Sequence, residues 1–120
     1  MSNKQSEIPF NVLASRCPSR TSFEHIFSRW GVLIMARLTE GPSRFNELAR
    51  SVEGISERML SKSLKLLEEE GLIYREDFNE KLPRVEYGLT VSGRRIAGSV
   101  LKVIEQLYEE MELRKKNLCT

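Results

Sequence analysis

The sequence is poor in the residues that most reaction centres need. It has two cysteines, Cys17 and Cys119, and one histidine, His25. Two distant thiols and a lone imidazole make neither a zinc site nor a disulfide scaffold. No nucleophile–base arrangement, phosphate-cradling glycine loop or carboxylate pair at a working spacing is present. We therefore expect no catalytic residue, no metal and no cofactor, and the chain does not read as an enzyme. Long apolar runs are missing too, none approaching the ~18 residues of a membrane span. The opening stretch MSNKQSEIPFNVLASRCPSR lacks the apolar centre of a secretory signal. These absences, with the low cysteine content, predict a cytoplasmic protein without a membrane partner. An excess of one charge is also lacking, with 19 Lys+Arg against 17 Asp+Glu and a net charge of +2. Total charge thus gives no case for nucleic acid, and any electrostatic argument must rest on where the charges lie.

What is present suits one compact domain: 120 residues, 40% hydrophobic and 30% charged, too short for two cores. Residues 1–20, with Pro9 and Pro18, read as an N-terminal arm with at most one short helix around Phe10 to Ser15. Thr21-Ser-Phe-Glu24 fits a capping box. Phe23, Ile26, Phe27 and Trp30 then recur at helical spacing. Gly31 should kink or split this segment, Val32 to Leu38 should be buried, and Gly41-Pro42 ends it. Ser43 to Val52 reads as a short amphipathic helix with Phe45, Leu48, Ala49 and Val52 inward. A further helix, capped by Ser56, runs to Glu70 and stops at Gly71. LIYRE (72–76) and RVEYGLT (84–90) flank a polar tip and predict a β-hairpin, with Val85, Tyr87 and Leu89 on its buried side. Thr90 can cap a last helix from Val91 to about Lys115. Its apolar residues, from Ile96 through Val103, Leu107, Tyr108 and Met111, cover more than one face.

Two helices joined by about four residues make a helix-turn-helix, and a hairpin directly after the second makes it winged. The expected fold is α+β and mostly helical. It comprises a winged helix-turn-helix core over 21–90 and added N- and C-terminal dimerisation helices, the latter over 91–120.

The helix after Ser56 carries the functional signal. At 100° per residue Leu60, Leu64 and Leu67 fall on one side. Arg58, Ser61, Lys62 and Lys65 fall on the opposite side within roughly 100° of arc, and Arg58 to Lys65 spans about 10 Å, a length that fits a DNA major groove. Glu68, Glu69 and Glu70 lie one turn beyond. This order opposes the helix dipole, which favours anions at the start and cations at the end. It suits a recognition helix whose first half docks on DNA and whose last turn leaves the groove. The wing offers Lys81 and Arg84 to a neighbouring groove or backbone. Ser43 and Arg44, placed at the start of the preceding helix, would meet phosphate, and the cap Ser56 completes the candidate DNA-binding set.

The residues from Cys17 to about Leu107 resemble the HxlR-type winged-helix transcriptional regulators, relatives of the MarR-type regulators. The resemblance is carried by Cys17-Pro18, Trp30, Gly41, Arg44-Phe-Asn-Glu-Leu48, Gly54-Ile-Ser56, Met59-Leu60-Ser61 and Leu64-Lys-Leu-Leu-Glu68. It continues through Glu70-Gly-Leu72, Arg75, Pro83-Arg-Val-Glu-Tyr87, Leu89-Thr90 and Gly93. Ser28-Arg29 before Trp30, Leu66, and Leu107-Tyr108 depart from the usual pattern. The resemblance implies a dimeric regulator that binds double-stranded DNA, often controlling neighbouring genes, with terminal helices building the dimer; the leading reading is a sequence-specific repressor. It also implies that Cys17 can sense electrophiles or oxidants. The residues themselves agree in part. The surplus apolar surface of the last helix asks for a partner, and two-fold pairing is the usual answer. Cys17 lies ahead of a helix among Arg16, Arg20 and Arg29, a setting that favours thiolate. His25 reads as a dimer-interface or packing residue. Two alternatives stay open: a winged-helix protein-interaction module that binds no DNA, and a regulator controlled by a small ligand in a crevice rather than by a thiol.

Overall fold

Gly31 splits the first helical segment in two. A Cβ at this position would lie 2.5 Å from the His25 carbonyl oxygen and 2.8 Å from that of Ile26, so only glycine lets the second helix start so close to the end of the first. The computed structural model describes residues 9–79, 81 and 84–119, with side chains through residue 117. The elements run α1 (Pro18–Ile26), α2 (Gly31–Leu38), β1 (Ser43–Arg44), α3 (Phe45–Ser51), α4 (Glu57–Glu69), β2 (Ile73–Asp77), β3 (Val85–Leu89) and α5 (Val91–Cys119). This is the expected winged helix-turn-helix, α3 and α4 forming the helix pair and β2–β3 the wing.

Three local expectations need correction. First, α1 begins at Pro18 rather than Thr21, with Cys17 at the N-cap. Proline is favoured at the first helical position, where its missing N–H would have had no partner anyway. Glu24, instead of capping, pairs with Arg20 one turn earlier at 3.2 Å. Second, residues 10–15 form turns rather than a helix, one of them closed by the Leu13 amide donating to Asn11 Oδ1 at 3.0 Å. Third, Ser43 does not start a helix, and Arg44 enters α3 only as its N-cap. They form a third strand in an antiparallel sheet of order β1-β3-β2, with Ser43 opposite Tyr87 and Arg44 opposite Glu86. In the wing itself Ile73 pairs with Leu89 and Asp77 with Val85.

The core gathers Ile34, Met35 and Leu38 of α2, Leu48 of α3, and Leu60, Leu64 and Leu67 of α4, closed by Leu72, Ile73, Leu89 and Ala97. The leucine side of α4 is therefore fully buried, as its periodicity requires. Both ends of α4 are fixed by the chemistry expected of them. Ser56 Oγ accepts the Met59 amide at 3.1 Å. At the far end Gly71 takes φ 74°, and the amides of Gly71 and Leu72 donate back to Glu68 and Leu67 at 2.9 and 3.1 Å. This paired closure satisfies the last carbonyls. Thr90 caps α5 through the Gly93 amide at 3.0 Å and donates its own hydroxyl to the Gly71 carbonyl at 2.7 Å, so the start of α5 is tied to the end of α4.

Helix α5 is the least supported element. Ala97 and Val100 are buried, but Val103, Leu107, Tyr108, Met111 and Leu113 are exposed. By helix geometry Val103, Leu107 and Met111 lie within about 60° of Val100, so one stripe starts in the core and continues, uncovered, along the projecting half.

Candidate nucleic-acid interface

Arg58, Ser61, Lys62 and Lys65 all project from the exposed side of α4, while Leu60, Leu64 and Leu67 hold its opposite side in the core. The arrangement follows from the sequence spacing alone: residues three, four and seven apart share a face. It leaves a ridge of three cations and a hydroxyl with the freedom to enter a groove. Ser56 is exposed at the start of this ridge, but its Oγ is engaged as the cap.

The three glutamates at the other end have different surroundings. Glu68 and Glu69 are exposed. Glu70 is turned inward, 18% exposed in its side chain. Its Oε1 accepts from Ser22 Oγ at 2.6 Å, and its Oε2 lies 2.6 Å from His25 Nδ1. A carboxylate only accepts, so the imidazole Nδ1–H donates. The pair bolts α1 to the C-terminal end of α4, which answers the His25 question in favour of packing within the chain. The sequence groups Glu70 with Glu68 and Glu69, and only the approach of α1 reveals its separate partners. Glu70→Ala should lower stability by about 1–2 kcal/mol, the net worth of a partly screened hydrogen bond to a charged group. Denaturant titration of Glu70→Ala, His25→Ala and the double variant should show a coupling above about 0.5 kcal/mol. Additive losses would mean that the two side chains act independently.

Of the other candidates, Ser43 leaves the contact set. It is 1% exposed, and its hydroxyl faces the Arg44 carbonyl at 3.4 Å. A phosphate cannot reach a group enclosed between β3 and the core. Arg44 is exposed, and its amide donates to Glu47 Oε1 at 2.9 Å. Lys81 is exposed on the wing. Arg84 is half-buried where the tip loop of the wing enters β3: its guanidinium stacks over the Phe78 ring at 4.0 Å and pairs with Glu86 at 3.7 Å. Arg44 and Arg84 share an open recess with Arg50. Sequence reading missed Arg50, because only the approach of α3 to the wing brings it beside the other two.

Cys17 is half-buried at the N-cap of α1. Its thiol is held below its ordinary pKa, foremost by the Asn11 amide, which donates to Sγ at 3.2 Å, and then by Ser19 Oγ at 3.1 Å. The amides of Ser19 and Arg20 act in the same direction, and modest burial opposes them. The cause differs from the expected one. Hydrogen bonds, not arginines, stabilise the thiolate: Arg20 turns away to Glu24 and the Leu13 carbonyl, and Arg29 stacks on Trp30 at 4.7 Å. The Cys119 side chain, with Glu80, Leu82 and Pro83, lies outside the described residues. Among the described residues no group of three or more His, Cys, Asp or Glu is placed to hold a metal ion, and no helix is long and apolar enough to cross a membrane.

Comparison with known proteins agrees with this geometry. Residues 25–116 match the family model described as HxlR-like helix-turn-helix. The uncharacterized HTH-type transcriptional regulator YtfH of Escherichia coli K12 is 44% identical over 90 residues, 75% of this chain and 71% of that protein. Among solved structures, the ytfH protein of Salmonella typhimurium superposes with a TM-score of 0.77 at 37% identity, covering 90% of this chain and 98% of the other. The oxidized form of the redox regulator HypR superposes with a TM-score of 0.69 at 34% identity, covering 75% and 93%. A winged helix-turn-helix whose second helix presents an exposed cationic face, matched over most of its length by this family model and these relatives, places the chain in the HxlR-like helix-turn-helix family of transcriptional regulators.

Proposed function

We propose that this regulator is a cytoplasmic homodimeric repressor that binds a pseudo-palindromic operator and is released when an electrophile or oxidant modifies Cys17. The observation that carries the DNA reading is the exposed ridge of Arg58, Ser61, Lys62 and Lys65 on a helix whose leucines are locked in the core. Arg and Lys at the start of a recognition helix can reach both base edges and phosphates. Arg44, Lys81 and the recess shared with Arg50 and Arg84 would serve the flanking backbone, where sequence is not read but register is fixed. The uncovered stripe on α5 supports pairing of two chains, and a two-fold dimer presents two α4 helices to half-sites about a helical turn apart or more.

The thiol supports the control step. With its pKa lowered, Cys17 has a larger thiolate fraction at neutral pH than an ordinary cysteine. That fraction falls as pH drops through the lowered value, so alkylation by iodoacetamide should stay fast to lower pH than for a free thiol. Structural similarity to HypR, a redox regulator, points the same way.

Genome-wide footprinting of wild type and Cys17→Ser, with and without a quinone, tests both parts. Discrete inverted-repeat sites, lost from the wild type on quinone treatment and kept by Cys17→Ser, are expected. No discrete sites would end the regulator mechanism. Sites that respond equally in both proteins would leave DNA binding and remove Cys17 as the sensor.

A further inference from the structure

Gly98 sits inside α5 where glycine has no evident structural reason to be. A Cβ added there would meet nothing within 4 Å, and helix-interior glycine costs about 1 kcal/mol relative to alanine. What glycine does provide is space. Gly98 forms part of the wall of a pocket of about 340 Å³ between the end of α2, the root of the wing and the first half of α5. A second glycine shapes the facing wall. Gly88 is paired with Tyr74 across the hairpin, and a Cβ at Gly88 would collide with the Tyr74 ring. The ring therefore lies flat across the strand, and Tyr74 joins the pocket lining.

The remaining lining is mainly apolar, with Leu38, Pro42, Leu89 and Leu101 around a single cation, Arg94. Arg94 Nη1 donates to the Leu89 carbonyl at 3.3 Å. Among the described residues no carboxylate lies within ion-pairing distance of it, unlike Arg20 with Glu24 and Arg84 with Glu86. A guanidinium carries five N–H donors in a fork that matches a carboxylate, so most of its capacity faces the pocket or solvent. The volume is at the small end of the range for ligand sites, about 300–1,000 Å³.

We propose that this pocket is a binding site for a small monocarboxylate with an apolar body, a single ring or a short branched chain, its carboxylate on Arg94 and its body between Leu38, Leu101 and Gly98. A phosphate ester suits the site less well, since a dianion would leave most of its charge against apolar walls with one cation to meet it. The inference does not depend on DNA binding, and its test uses the free full-length protein.

Amide chemical shifts should be followed during titration with phenylacetate, benzoate and isovalerate to millimolar concentration, with phenylacetamide as the uncharged counterpart. At least one acid should produce saturable shifts centred on Arg94, Gly98 and Leu101, and phenylacetamide should bind at least tenfold more weakly than phenylacetate. Arg94→Gln should weaken the acid at least tenfold. Gly98→Leu should abolish binding by filling the hollow, and Gly98→Ala, which can only favour the helix, should weaken it with the fold intact. Absence of saturable shifts with all three acids would overturn the proposal, as would equal binding of the amide or unchanged affinity in Arg94→Gln and both Gly98 variants.

Discussion

Replacing Arg58 and Lys62 together by alanine should weaken operator binding by roughly a thousandfold. Each contact of an arginine or lysine with a base edge or phosphate is worth on the order of 1 kcal/mol or more, and a dimer loses two from each subunit. The sum is about 4 kcal/mol, or about 10³ in affinity. The salt dependence should change with it. Each lost phosphate contact removes about 0.9 from the slope of log affinity against log salt, so a flatter slope would identify the phosphate share of the loss. Both side chains are exposed, which predicts a stability change within about 0.5 kcal/mol and separates weakened binding from unfolding. Lys102→Ala, which removes an exposed cation from α5, is the control for net charge and should leave affinity unchanged. Fluorescence anisotropy on a footprinted site at two salt concentrations decides the matter. Affinity within twofold of wild type would mean that α4 does not read DNA, and the protein-interaction alternative would take its place.

The α4 face was legible in the sequence because a helix face is a local property. Ser56, the leucine spacing and Gly71 fix where the rod starts, which way it faces and where it ends, and no distant residue is needed to say that Arg58 and Lys65 point together. The wing was legible for the same reason, from its alternation and its polar tip. The start of α1 was not, because Thr21–Glu24 and Cys17-Pro18 are competing local signals, and proline at the first helical turn prevails. Ser43 failed differently. A two-residue strand has no periodicity, and its partner Tyr87 lies far along the chain, so a buried strand residue read as an exposed helix start. Glu70, Arg50 and the hollow at Gly98 depend on how α1, the wing and α5 approach their neighbours. Composition and spacing give at most a weak hint, such as a glycine where a helix would prefer alanine.

The second large effect concerns the stripe that leaves the core along α5. Leu107 is 50% exposed in the single chain and lies about 20° from the buried Val100 by helix geometry. If a second chain covers this stripe, Leu107→Glu places an uncompensated charge in the interface from each subunit. Burying such a charge costs about 3–5 kcal/mol, and two-fold symmetry doubles it. Dimer dissociation should therefore strengthen by several kcal/mol, at least about 10⁴ in the dissociation constant. The monomer should stay folded, because Leu107 is not part of the hydrophobic core and charge is welcome at a solvent-exposed helix position. Sedimentation equilibrium should report a dimer for the wild type and a monomer for Leu107→Glu at micromolar concentration, with helical circular dichroism largely retained. Loss of the dimer should also reduce operator affinity to that of one half-site. A Leu107→Glu protein that remains dimeric would show that the chains pair through another surface, and the exposed α1 residues Phe23 and Phe27, whose rings meet at 4.7 Å, would then be the next surface to charge.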